Sequence, residues 1–209
     1  MTETITTPPN RKTRRRQRTR QQLLDAAQSL ILEQGYEDAS AEAIAELADF
    51  GRSTFYNHFD NKQDATLALL TRHYQDYGDL AYVPLDETLD RAASVGRSGL
   101  RVFRAMARDP LTRQMVDRPL LLAKAIAESQ RDLLLRDFNE GVMQERFKSA
   151  VSTESLLTIL NWSFVGMLIT AIQQDSIDED SLEWTRFLLL SLGIQHDEIE
   201  SLISAAVQD

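Results

Sequence analysis

There is no cysteine in the 209 residues. That excludes a disulfide framework, a thiolate nucleophile and a cysteine zinc site, and it fits a reducing cytoplasm. Histidine is scarce: His58, His73 and His196 stand far apart, without metal-ligand spacing. No glycine-rich phosphate loop, no G-x-S-x-G elbow and no internal repeat occurs. Neither an enzyme nor a bound metal or cofactor is therefore expected. Proline is confined to Pro8, Pro9, Pro84, Pro110 and Pro119, so little interrupts the long stretches between them. No stretch alternates at period two, which argues against strands. The polar, basic N-terminus lacks the apolar stretch of a signal peptide.

What is present is helical periodicity and an uneven charge distribution. The net charge is −9, which at first argues against nucleic acid. Yet residues 11–20, RKTRRRQRTR, hold seven basic side chains and no acidic one. Residues 1–62 sum to zero, and all the net acid lies in residues 63–209. A basic segment on an acidic body points to a local polyanion contact. Residues 1–17, rich in Thr, Pro and Arg, read as a disordered basic arm. Ser155 to Gln174 carries no charge and is long enough to span a bilayer. Its seven polar residues, and Glu154 and Asp175 at its ends, indicate instead a buried helix of a soluble protein.

The spacing predicts a first helix over 19–34, with a capping box at Thr19 and Gln22 and Gly35 as its stop. A second follows Ser40 as N-cap, burying Ile44, Leu47 and Ala48. Asp49-Phe50-Gly51 breaks it, and a third helix is expected over 52–59. Further helices are expected at 62–80, 87–107, 111–116, 119–146, 153–174 and 181–206, the last with a break near Gly193 to His196. Gly96 and Gly99 should weaken the fifth in its middle.

Two short helices joined by a tight turn over residues 40–59, SAEAIAELADFGRSTFYNHF, make a helix-turn-helix. Phe50, Phe55 and Phe59 supply its inward side. Arg52, Ser53, Tyr56, Asn57 and His58 form the outward side, with groups that bond to bases and phosphates. The competing reading of this pattern is two ordinary surface helices with a polar face.

The run IAELADFGRSTFYNHFDNKQDATLALL, behind an opening helix holding LLDAAQSLILEQGY, resembles the DNA-binding domain of TetR-family repressors over about residues 19–70. The resemblance implies an all-α fold. An N-terminal three-helix helix-turn-helix DNA-binding domain (18–62) would precede a larger C-terminal helical domain for ligand binding and dimerisation (63–209). It implies phosphate contacts from Ser40, Tyr56, His58 and Lys62, and base contacts from Arg52 and Ser53. Asn57 would reach a base or a phosphate, and Thr54 a phosphate or the core. Two residues depart from the family pattern: Asp49 replaces a common Gly, and Gly51 a common Ser. Without a cap hydroxyl at Gly51, helix three is expected to order only on DNA. The arm, through Arg14, Arg15 and Arg16, either enters the minor groove or serves as a solubilising tail.

In such a family the partners are a double-stranded palindromic operator, a second copy of the chain and a small molecule. Helices 153–174 and 181–206, apolar around more than one face, are the homodimer candidates. Phe103, Met106, Phe138, Trp162 and Met167 are the effector-pocket candidates, each also readable as plain core. Their chemistry points to a lipophilic effector that releases a cytoplasmic repressor from DNA. No membrane association is expected. The alternative is a DNA-binding adaptor with a protein partner and no effector, motivated by nine acids against one base in residues 175–209.

Overall fold

In the computed structural model, residues 10–81 and 90–208 are described, and every regular element among them is a helix. The chain forms two compact units, residues 1–69 and 70–209, and the division falls within the fourth helix.

The N-terminal unit holds α1 (Arg11–Asp38), α2 (Ala41–Leu47), α3 (Arg52–Tyr56) and the start of α4 (Lys62–Ala81). α1 begins eight residues earlier than expected, so residues 11–17 are helix and not a disordered arm; residues 1–9 lie outside the described set. Arg and Gln are good helix formers, and the Asn10 side chain accepts from the Thr13 amide at 3.0 Å. That cap replaces the expected one at Thr19. Gly35, at φ 86°, breaks helical geometry where a stop was expected, and one more turn follows it. The core is built from Leu23, Leu24, Ala27 and Ile31 of α1, with Ile44, Ala45, Phe55 and Phe59, all buried. Leu47, expected inside, is 53% exposed: it ends α2, where the chain has turned away from α1.

The C-terminal unit continues α4 and adds α5 (Arg91–Arg108), α6 (Pro110–Arg113), α7 (Pro119–Met143), α8 (Thr153–Gln174), α9 (Ile177–Ser191) and α10 (His196–Gln208). Residues 87–89 of the expected fifth helix lie outside the described set. α5 is central and packs against α6, α7, α8, α9 and α10. Gly96 and Gly99 make that packing possible. A Cβ at Gly99 would stand 2.9 Å from Leu188 Cδ2 and 3.0 Å from Trp184 Cζ3. The helix propensity lost at these glycines thus allows α9 a close crossing. Phe103, Phe164 and Trp184 interlock beside it, with centroids 4.9–6.0 Å apart. α8 is long and apolar enough to cross a membrane by length and composition, but it packs against α5, α7 and α9 as a core helix does. α7 stops three residues short of the expectation, because Glu145 takes a left-handed φ of 57° and the chain folds back on Gly141. The expected 181–206 helix is two helices, divided at Gly193 (φ 82°).

Candidate nucleic-acid interface

The turn between α2 and α3 is closed by backbone bonds: Asp49 N to Glu46 O at 3.0 Å and Phe50 N to Ala45 O at 2.8 Å. It requires a left-handed residue at position 49, and Asp49 sits there at φ 59°. A glycine adopts that geometry without the Cβ penalty, which is the physical reason a Gly is common there, and Asp is among the few other residues that visit it. Asp49→Gly is therefore expected to stabilise the N-terminal unit by about 0.5–1 kcal/mol and to tighten DNA binding by removing an anion. Thermal unfolding and duplex titration of the variant test both effects; an unchanged midpoint would show that the turn carries no strain at Asp49.

Gly51 is the N-cap of α3, with no side-chain cap bond. α3 is nonetheless helical from Arg52 to Tyr56. Phe55, fully buried against Phe59 at 5.5 Å, anchors it. The regular helix ends at Tyr56 rather than Phe59; residues 57 and 58 form a turn.

Arg52, Ser53, Tyr56 and Asn57 are exposed together, and Thr54 and His58 are half-buried beside them. Arg52 Nε bonds Glu42 Oε1 of α2 at 2.9 Å, and its guanidinium lies 5.5 Å from the Tyr56 ring centroid. That pair bridges the outward side of α3 and α2 at the surface. His58 Nδ1 is buried without a hydrogen-bond partner. Burial lowers the His58 pKa, and the nearby Arg16 and Arg20 charges lower it further, so the ring is neutral near pH 7.

Two expected phosphate ligands have internal roles. Ser40 caps α2, its Oγ accepting from Ala43 N at 3.0 Å. Lys62 Nζ donates to the carbonyls of Tyr36 (2.8 Å) and Glu37 (3.1 Å) and lies 4.2 Å from the Tyr36 ring centroid. It thereby satisfies carbonyls at the end of α1 from the start of α4. Arg14, Arg15 and Arg16 are exposed on α1. Sequence reasoning missed Arg20, whose guanidinium sits 4.8 Å from the centroid of Phe59, and Glu42, the partner of Arg52. Arg20 was legible in principle, since it continues the i, i+4 line of the buried face of α1.

The aromatic effector candidates Phe103 and Phe138 take part in different ring contacts. Phe103 packs with Phe164 and Trp184, whereas Phe138 packs on Phe147 at 6.2 Å. Met106 is buried and Met167 half-buried. Trp162, on α8, is 47% exposed.

Residues 23–69 match the family described as "Bacterial regulatory proteins, tetR family". The repressor KstR of Mycolicibacterium smegmatis is 29% identical over 121 residues, covering 54% of this chain and 55% of that one. The repressor AcnR of Corynebacterium glutamicum is 26% identical over 179 residues, covering 77% and 87%. The chain spans about half the length, or less, of most of the curated relatives it matches. Among solved structures, RolR in complex with resorcinol superposes with a TM-score of 0.74 at 23% identity, covering 92% of this chain and 96% of that one; this likeness shows the fold. Residues 23–69 thus match the tetR family of bacterial regulatory proteins as a helix-turn-helix unit, and the helices that follow share the fold of RolR.

Proposed function

We propose that the protein is a homodimeric repressor that binds a palindromic operator and is released by a small molecule. The observation that carries this reading is the polar outward side of α3, with Arg52, Ser53, Tyr56 and Asn57 exposed together over a buried Phe55 and Phe59. Arg52 and Ser53 face base edges in this reading, while Tyr56 and His58 meet phosphates, with Asn57 and Thr54 beside them. Ser40 adds its hydroxyl hydrogen to a phosphate while its oxygen caps α2. Lys62 contributes positive field from its place at the end of α1.

The dimer is supported by apolar side chains left outside. α8 exposes Ile159 and Trp162, and α9 exposes Phe187 and Leu190. Gly166, one turn beyond Trp162, has no atom within 4 Å of where its Cβ would be, so a second backbone can approach closely there. In a dimer of this kind the two recognition helices meet successive turns of the major groove.

The effector is a compound with an apolar body and at least one hydrogen-bonding group. Ser94 Oγ, Asn161 Oδ1 and Trp184 Nε1 are buried in the C-terminal unit without partners. Such atoms cost about 1–3 kcal/mol each when unsatisfied, and a bound ligand can relieve that. The resorcinol complex of RolR accords with such chemistry. Binding better to the state that does not fit DNA, the ligand shifts the population away from the operator.

The alternative is a DNA-binding adaptor with a protein partner, motivated by the nine acids of residues 175–209. Asp178 bonds Arg108 at 2.8 Å and Arg104 at 3.3 Å, and Glu183 and Glu200 flank Arg186 at 2.7 Å. Three of those nine acids are thus paired within the chain, which weakens that reading.

The test is binding to palindromic sequences from the protein's own promoter. The expected result is a salt-sensitive complex of one dimer per site, weakened by a compound that raises the unfolding temperature. Arg52→Ala should cost about 1–3 kcal/mol on the operator and little on random duplex. Equal losses on both would remove Arg52 from base reading, and no complex at moderate ionic strength would overturn the function.

A further inference from the structure

The first turns of α1 form a basic helical segment. Residues 11–18 and 20 are exposed, and the Asn10 cap holds the start, accepting from the Thr13 amide at 3.0 Å and its hydroxyl at 3.2 Å. From Arg20 back to Arg11 the helix runs about 13 Å. Its basic side chains fall on two faces. Lys12, Arg16 and Arg20 recur every fourth residue and continue the line of Leu23, Ala27 and Ile31, the side of α1 buried in the domain. Arg11, Arg14, Arg15 and Arg18 fall on the opposite side. The first face lies beside the end of the recognition segment: Arg20 stands over Phe59, and Arg16 and Arg20 both act on His58.

We propose that Lys12, Arg16 and Arg20 form a phosphate-gripping ridge that contacts the DNA backbone flanking the half-site read by α3, with the helix itself setting its direction. The proposal rests on the DNA-binding reading above and adds a second contact surface to it. Successive ridge residues are about 6 Å apart along the axis. Phosphates of one strand recur every ~3.4 Å of duplex axis, so three long flexible side chains on this rise can each meet a different phosphate. Positioned by a helix, they need not lose the chain entropy that a disordered arm loses on docking.

The experiment compares two variants of equal charge. One is Lys12→Gln/Arg16→Gln/Arg20→Gln; the other is Arg11→Gln/Arg14→Gln/Arg18→Gln. Each removes three positive charges. The ridge variant should lower the slope of log affinity against log salt by about 2.7 per protomer. Its deficit against the unaltered protein then grows about 40-fold per protomer between 200 and 50 mM salt. The outer-face variant should keep most of the slope. A third variant, Gln17→Pro, keeps every charge but interrupts α1 before the core begins, and it should behave like the ridge variant. Circular dichroism and thermal unfolding confirm that the domain core is intact in all three. Equal effects of the two charge sets, with Gln17→Pro silent, would overturn the ridge in favour of a flexible or merely electrostatic arm. Loss confined to duplexes with A·T-rich flanks would overturn it in favour of minor-groove insertion. Absence of operator binding by the unaltered protein would overturn the DNA reading and the ridge together, whereas binding with equivalent charge sets removes only the ridge.

Discussion

Replacing Gly193 by alanine is expected to destabilise the C-terminal unit by about 3 kcal/mol. Two costs add at this one position. The backbone is held at φ 82° between α9 and α10, a region that costs an L side chain about 1–2 kcal/mol. The new Cβ would also stand 2.5 Å from the carbonyl oxygen of Lys148 and 3.1 Å from its carbon. These are backbone atoms with no rotamer to escape into. Nor can that segment retreat freely, because the Lys148 amide donates to Leu192 O at 2.8 Å and Phe147 is buried against Phe138. Gly51→Ala is the matched control: its φ is −73° and the nearest atom to a Cβ is 4.0 Å away, so it should shift stability little. Denaturant unfolding of both proteins measures the contrast. A Gly193 variant within 1 kcal/mol of the parent would mean that the α9–α10 junction relaxes at no cost.

Asp109→Ala should have an effect of similar size, about 3 kcal/mol, and it carries a pH signature. Asp109 is buried at the start of α6. Its carboxylate accepts from the Thr112 amide at 2.7 Å, the Thr112 hydroxyl at 2.8 Å and His73 Nε2 at 3.1 Å. Tyr74 OH meets Thr112 Oγ1 at 3.1 Å, and Gln130 Nε2 donates to Tyr74 O at 2.6 Å. Removing the carboxylate leaves several of these buried donors unsatisfied. Burial pushes the Asp109 pKa up, but the bonds from His73 and Thr112, with the His73 charge, outweigh it and leave the net value below the ordinary one. A carboxylate depressed in the folded state stabilises fully above the unfolded pKa, near 3.9. That contribution disappears as pH falls through the lower folded value. Stability measured from pH 7 down to pH 3 should therefore fall below about pH 4. In Asp109→Asn that part of the acid limb should vanish. An acid limb of the same depth in parent and variant would refute the role of Asp109. Burial raises the Tyr74 and Tyr77 phenols well above their ordinary pKa, so neither contributes in this range.

The contrast between what the sequence revealed and what it hid follows from the range of the interactions involved. Ser40 as a cap, Gly193 as a break and the span of α8 depend on a few neighbouring residues and their periodicity, and these were legible. The helix over 11–17 was not. Dense positive charge reads as disorder when weighed by composition, while propensity and the Asn10 cap favour helix. The exposure of Leu47 and Trp162 was hidden for a different reason. An apolar side chain at a helical spacing states that some surface should cover it, not which. Trp162 is half outside, and no single-chain pattern distinguishes that from a core position. The Glu42–Arg52 pair and the Lys62 bonds to Tyr36 and Glu37 join elements whose crossing geometry the sequence does not encode.

The Glu42–Arg52 pair has a bearing on how operators diversify. Its two side chains are largely solvated, so the bond is worth about 0–1 kcal/mol, and Arg52 leaves it readily. For a regulator that reads a base through Arg52, a half-site with the wrong base pair does not strand the guanidinium, because Glu42 takes it back. The discrimination is then the gap between two satisfied states, smaller than the cost of leaving a charge unpaired. If Arg52 reads a base in this way, promoters that drift at that base pair would keep partial occupancy.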